Sequence, residues 1–156
     1  MVSPQGRTPA KSRTRKVGAA VAAVASVAGM VFAAAPATAT ATVAAYPVSY
    51  FSVSDGLGSY YSGTATWYNR SVGATGTFKA VYCSRIYGRA FTGSTSLDFV
   101  SSSTWCNRTA SATLNLDANV VGGANKIWIY MTDEDGYYLD GDTCYRNVTY
   151  CVNGLE

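Results

Sequence analysis

Apolar and polar positions alternate along most of the chain after residue 40. Between Ser111 and Val121, the even positions carry Ala, Leu and Val, whereas the odd positions carry Thr, Asn and Asp. From Thr77 to Tyr87, one parity is apolar; it comprises Phe78, Ala80, Tyr82 and Ile86. This period of two is typical of half-buried antiparallel strands, and no stretch after residue 40 has a convincing helical period.

Clusters of Gly, Asn and Asp divide the alternating pattern into short segments. These turn signals lie at 55–58, 73–76, 122–125 and 135–136. They predict strands at 46–53, 60–70, 76–87, 96–101, 110–121, 125–132, 137–140 and 143–152. Seven or eight short strands indicate an all-β fold, an antiparallel β-sandwich of immunoglobulin-like or jelly-roll-like kind, with a small barrel as the alternative.

The segment 126–132 differs from the other predicted strands because both of its faces are apolar. Ile127, Ile129 and Met131 share one face, and Trp128 and Tyr130 share the other. One face must belong to the core. The other is either the second buried face of a central strand or an exposed platform for sugar rings or a protein partner. With the tyrosines beside the next turn, the possible binding surface is Trp128, Tyr130, Tyr137 and Tyr138.

The N-terminal segment has the composition of an export signal. Five cations come first, at Arg7, Lys11, Arg13, Arg15 and Lys16. An uncharged run from Val17 to Ala35 follows, and then Pro36 and Ala-Thr-Ala triplets at 37–39 and 39–41. We interpret residues 1–39 as a signal peptide, with cleavage after 41 or 45 as alternatives, and residues 40–156 as one secreted β-domain. A transmembrane anchor is the rival interpretation, but the run is mostly Ala, Val and Gly.

Export changes the meaning of the charge and of the compartment. All nine acids, but only seven of the twelve cations, lie after residue 39, so the remaining chain carries a net charge of −2 instead of +3. Nucleic acid is therefore not expected as a partner, and no membrane insertion is expected after cleavage. We expect the protein outside the cell, either free or associated with the cell wall.

The four cysteines form an even set in a small exported domain. Cys83, Cys106, Cys144 and Cys151 allow three pairings, and we predict sequential pairing, 83 with 106 and 144 with 151. On one continuous strand, Cys144 and Cys151 would face opposite sides, so the chain must bend between them. Zinc binding is not expected, since no C-x-x-C spacing and no histidine occur.

Five of the nine acids fall within positions 133–142. The plainest interpretation is a solvated hairpin loop that turns at Asp135. A calcium site is the second interpretation, with candidate ligands Asp133, Asp135, Asp140 and Asp142. The third makes Asp133 and Asp140 the carboxylate pair of a glycosidase. No other cofactor is indicated.

The lack of histidine removes most hydrolytic machinery, because the usual dyads and general bases rely on it. We therefore expect no enzymatic activity and predict a small secreted binding or structural protein. A protein or polysaccharide surface is a better partner for it than a small molecule. The alternatives are a carbohydrate- or cell-wall-binding module and an inhibitor of secreted hydrolases, whose inhibitory loop would lie in 140–150.

Overall fold

Nine antiparallel strands account for the regular structure of residues 45–154, the part of the chain that the computed structural model describes. The strands are β1 (Val48–Ser54), β2 (Tyr60–Trp67), β3 (Ser71–Ala80), β4 (Ser84–Thr92), β5 (Thr95–Ser101), β6 (Arg108–Asp117), β7 (Lys126–Asp133), β8 (Tyr138–Tyr145) and β9 (Val152–Asn153). One sheet has the order β1-β2-β3-β6 and the other has the order β5-β4-β7-β8-β9. The predicted all-β antiparallel sandwich is confirmed, with nine strands instead of seven or eight.

The alternating pattern determines which side chains fill the core between the sheets. In β6, Leu114 and Leu116 are buried, while Thr113 and Asn115 are exposed, as the period of two predicts. The largest fully buried side chains come from both sheets; they include Trp67, Tyr61, Phe78, Ile86, Ile127, Ile129 and Met131. Of the two apolar faces of β7, the one with Ile127, Ile129 and Met131 is the core face.

The single strand predicted over 76–87 is wrong. The chain leaves the first sheet after Ala80 and enters the second sheet at Ser84, so two strands in different sheets replace one. Tyr82, predicted to face the core, is 64% exposed in the connection. The backbone N–H of Val81 donates to the hydroxyl of Ser59 in this connection, which supplies a partner outside either sheet. Alternation continues across the break by coincidence, because Ile86 is again buried.

The predicted division at the C-terminus is also wrong. In place of strands at 137–140 and 143–152, β8 runs unbroken from Tyr138 to Tyr145, and the chain then turns at 146–147. The N–H of Val148 donates to the carbonyl of Tyr145 across this turn. This is the bend that pairing of Cys144 with Cys151 requires.

Both predicted disulfides are confirmed. Cys83–Cys106 joins the β3–β4 connection to the segment before β6, and Cys144–Cys151 closes the loop that follows β8. The predicted signal peptide, residues 1–39, lies outside the described residues. Within 45–154, no helix has the length and apolar character needed to cross a membrane. These features are compatible with an extracellular protein.

Candidate functional site

A row of five aromatic rings crosses the outer face of the second sheet. It consists of Phe99 (β5), Tyr87 (β4), Tyr130 and Trp128 (β7) and Tyr138 (β8). In β7 the row is the consequence of alternation, since the neighbours Ile127, Ile129 and Met131 point into the core. Three of the four residues predicted as a binding surface therefore meet in one cluster.

Four of the five rings of this row stack on one another. Tyr87 and Tyr130 are register partners, and their ring centroids lie 4.9 Å apart with an interplanar angle of 9°. This separation matches the spacing of neighbouring strands, so the rings stand upright on the sheet. Phe99 stacks on Tyr87 at 5.7 Å, and Trp128 stacks on Tyr130 at 4.1 Å. Tyr138 completes the row 6.1 Å from Trp128, with its ring tilted.

Exposure is concentrated at the two ends of the row. Phe99 is 53% exposed and Tyr138 is 52% exposed, whereas Tyr87, Trp128 and Tyr130 are half-buried by their neighbours. Burial raises the pKa of Tyr130, with a smaller contribution in the same direction from Tyr87, and the charge of Arg89 opposes both. The Tyr130 hydroxyl thus remains a hydrogen-bond donor at neutral pH.

The remaining predicted member, Tyr137, lies apart from the row. It is 71% exposed in the turn between β7 and β8 and makes none of the ring contacts described above. Its backbone N–H donates to the carboxylate of Asp133 over 2.8 Å. Tyr137 is therefore an exposed turn residue beside the row.

Gly141 in β8 makes room for the indole of Trp128. A Cβ atom at Gly141 would lie 2.9 Å from Trp128 Nε1 and 2.8 Å from the Cβ of Tyr130. Only a residue without a side chain permits this approach without a shift. Trp128 Nε1 is buried there and has no hydrogen-bond partner among residues 45–154.

Cationic side chains flank the row on β4 and β7. Arg89 donates through Nε to the hydroxyl of Ser96 over 2.9 Å, and its guanidinium lies 5.4 Å from the ring centre of Phe91. Lys126 Nζ lies 5.0 Å from the same ring centre, so both cations contact Phe91. Arg85, also on β4, donates to the hydroxyl of Thr104.

Three acids of the same sheet bond to the first sheet. Asp142 and Asp140 in β8 accept hydrogen bonds from the backbone N–H groups of Ser52 and Ser54 in β1. At the opposite side of the sandwich, Asp98 in β5 accepts a bond of 2.7 Å from the N–H of Asp117 in β6.

The β8 acids still influence the nearest end of the row. Burial raises the pKa of Tyr138, and the charges of Asp140 and Asp142 raise it further. The negative charges thus act at the β8 end of the row, whereas Arg85 and Arg89 lie on β4.

The structure divides the four predicted calcium ligands among different roles. Asp133 holds the β7–β8 turn through Tyr137, Asp135 is exposed in that turn, and Asp140 and Asp142 bond to β1. In the described part of the chain, no group of three or more acidic or cysteine side chains is arranged to hold a metal ion. The carboxylates of the proposed glycosidase pair, Asp133 and Asp140, both accept backbone hydrogen bonds.

The segment 140–150, proposed as an inhibitory loop, is partly strand and partly bonded loop. Its first six residues belong to β8. The rest is held by the disulfide to Cys151 and by backbone bonds of Tyr50 with Thr149 and Cys151. Ser49 also donates to the carbonyls of Tyr145 and Val148.

Sequence reasoning missed Tyr87 and Phe99. A single strand over 76–87 does not predict that Tyr87 lies on the outer face of the second sheet. The short strand predicted at 96–101 does not predict on which face Phe99 lies. One feature of the sequence predicts the orientation of Tyr87: it follows the core residue Ile86 directly, and neighbouring residues of a strand face opposite sides, so Tyr87 points outward. Pairing of β4 with β7 was the missing information.

Comparisons of the chain with protein-family models, with curated proteins and with solved structures find no match.

Proposed function

We propose that this chain is a secreted, non-catalytic binding module and that the aromatic row on its second sheet is the surface that binds a protein partner. The observation that carries the proposal is a row of five rings across four strands, four of them stacked and Tyr138 tilted beside them, with cations on β4 and β7 next to the row. Rigid Tyr, Trp and Arg side chains are the residues that contribute most binding energy at protein interfaces.

The orientation of the rings favours a protein over a polysaccharide. A sugar ring stacks on the flat face of an aromatic side chain. In this row the faces of Tyr87 and Tyr130 are covered by neighbouring rings at 4.9 and 4.1 Å, so ring edges and hydroxyl groups are left for a partner. Upright edges and phenol groups suit the mixed apolar and hydrogen-bonding contacts of a protein surface.

The charges favour an acidic partner. Arg89 is exposed beside the row, and the carboxylates of Asp98, Asp140 and Asp142 bond to the other sheet. An acidic segment placed along β4 would meet guanidinium groups without facing a carboxylate from β4 itself. Charge complementarity of this kind accelerates association and discriminates among partners.

The test compares surface variants in the secreted protein. Phe99→Ala and Arg89→Glu alter the row and its charged flank, and Tyr150→Ala is the control because it removes a tyrosine that is 71% exposed elsewhere. Extracellular proteins of the producing culture are captured, and the affinity of each captured protein is then measured with purified components. We expect Phe99→Ala and Arg89→Glu each to weaken binding at least about tenfold, and Tyr150→Ala to leave it unchanged.

Two outcomes would contradict the proposal. One is a captured partner whose affinity is the same for all variants. The other is sedimentation with insoluble cellulose, chitin or peptidoglycan that depends on Phe99 and Tyr138, which would support the polysaccharide alternative. Binding that weakens as salt is added would agree with the acidic partner.

A further inference from the structure

Two arginines bond to the loop between β6 and β7, residues 118–125, one at each end. Arg70 comes from the β2–β3 turn, and Arg146 comes from the turn after β8. The carbonyl of Arg70 accepts from the N–H of Ala118 over 2.8 Å, and the N–H of Arg146 donates to the carbonyl of Asn125 over 3.1 Å. Both ends of the loop are thus bonded to the backbone of an arginine.

The side chains of the same arginines bond to the middle of the loop. Arg70 Nη1 donates to the amide oxygen of Asn119, and Arg146 Nη1 donates to the carbonyl of Gly122. Gly123 follows at a φ of 67°, and a Cβ there would lie 2.6 Å from the carbonyl oxygen of Asn69. The loop therefore has a fixed shape against the β2–β3 turn.

A cavity of about 280 Å³ lies between the loop and the two arginines. Its lining consists of Asn69, Arg70, Val120, Val121, Gly122 and Arg146. This lining contains two guanidinium groups and no carboxylate. A guanidinium has five N–H donors, and only one bond from each of these groups is described above, so donors remain for a ligand in the cavity.

Arg146 lines a second cavity as well. This cavity, of about 300 Å³, is otherwise lined by Pro47, Val48 and residues 147–149.

We propose that Arg70 and Arg146 together bind the oxyanion, a carboxylate or a phosphate, of a small anionic ligand in this cavity. Two planar guanidinium groups match the oxygens of such a group, which accept paired N–H bonds. The two positive charges are concentrated here although residues 40–156 carry a net charge of −2. The proposal does not depend on the aromatic row, because none of the cavity residues belongs to it.

The experiment titrates the secreted, disulfide-bonded protein with inorganic phosphate and, separately, with acetate at constant ionic strength. Backbone amide shifts are followed by NMR. We expect saturable shifts at 119–123 and 146 with at least one probe, and the responding probe identifies the preferred oxyanion. Arg70→Gln and Arg146→Gln should each weaken binding at least about tenfold.

Controls separate recognition from loop support. Arg108→Gln removes a cation at the start of β6, the end of that strand far from the loop, and should bind as the unsubstituted protein does. Asn119→Ala removes the loop partner of Arg70 but keeps the charge, so binding should change less than about threefold. Shifts that do not saturate with either probe at tens of millimolar would overturn the proposal. Unchanged affinity in both arginine variants would overturn it as well.

Discussion

The carboxylate of Asp142 in β8 accepts a hydrogen bond of 2.7 Å from the backbone N–H of Ser52 in β1, so a side chain of one sheet completes the edge of the other. Asp140 serves Ser54 in the same way. On the far side of the sandwich, Asp98 serves the N–H of Asp117 in β6. Unpaired N–H groups on an edge strand are a template for another chain. We infer that these acids close both edges of the first sheet.

Replacement of Asp142 separates its hydrogen bond from its charge. Burial raises the pKa of Asp142 above the ordinary 3.8, the bond from Ser52 opposes this, and the charge of Asp140 raises it again. Asp142→Asn keeps an acceptor and removes the charge, so we expect it to be as stable as the unsubstituted protein at neutral pH, or more stable. Asp142→Ala leaves the N–H of Ser52 without its partner and should cost about 1 kcal/mol or more.

The raised pKa of Asp142 also predicts a pH dependence. The folded state binds more protons than the unfolded state between 3.8 and the higher folded pKa, so the free energy of unfolding increases as pH falls through this window. Asp142→Asn should lack that increase. Urea unfolding gives the free energy of unfolding of both proteins at neutral pH and just above pH 3.8. The difference in this free energy between the two proteins cancels the contributions of the other acids. A difference that does not change with pH would contradict the prediction.

Two glycines of β3 should respond oppositely to alanine. A Cβ at Gly76 would lie 2.1 Å from the carbonyl oxygen of Ser62, whereas a Cβ at Gly73 meets its nearest atom, Cε2 of Tyr68, at 3.5 Å. Gly76→Ala forces backbone to move and should cost about 2–3 kcal/mol. Gly73→Ala should be neutral or stabilising by about 0.5 kcal/mol. The midpoints of urea unfolding measure these changes in stability. Similar losses of stability in both variants would show that the close approach of the backbone at Gly76 is not the cause of its loss.

The sequence predicted what depends on local pattern. The alternation in β6 predicted the correct core face, and the predicted sequential pairing of the cysteines is confirmed. It could not predict the sheet to which a segment belongs, because that depends on partners distant in the chain. The alternation of apolar residues continues through the crossing at Val81. The pairing of Tyr87 with Tyr130 spans 43 positions. For these reasons, the sequence predicted only three of the five rings of the aromatic row.

The acidic segment shows the same limit for the candidate site. Its composition indicated a loop or a cation site, yet the roles of Asp140 and Asp142 depend on β1, whose N–H groups they accept. Nothing in the spacing of these acids identifies a strand some 90 residues earlier as their partner. Charge patterns predict function poorly when the bonding partners are backbone groups.

Removal of the second disulfide should loosen one loop selectively. Cys144–Cys151 encloses Arg146, and the loop-entropy relation predicts a loss of about 2.5 kcal/mol when it is replaced by alanines. Limited trypsin digestion should then cleave after Arg146 faster than in the unsubstituted protein. The matched variant without Cys83–Cys106 should lose about 3.4 kcal/mol, with no faster cleavage at Arg146. Equal cleavage in the two variants would mean that the hydrogen bonds of Ser49 and Tyr50 hold the loop without the disulfide.

The contact between Gly141 and Trp128 should couple sheet stability to the aromatic row. Gly141→Ala places a methyl group where the indole and Tyr130 now lie, so it should displace Trp128 and cost about 1–3 kcal/mol. In Trp128→Ala the indole is gone while the Cβ of Tyr130 and the carbonyl oxygen of Ile129 remain, so adding Gly141→Ala should then cost less but still destabilise the protein. Unfolding free energies of the two single variants and the double variant give the coupling, which we expect to be at least about 1 kcal/mol. Additive losses would mean that the indole does not depend on the glycine beneath it.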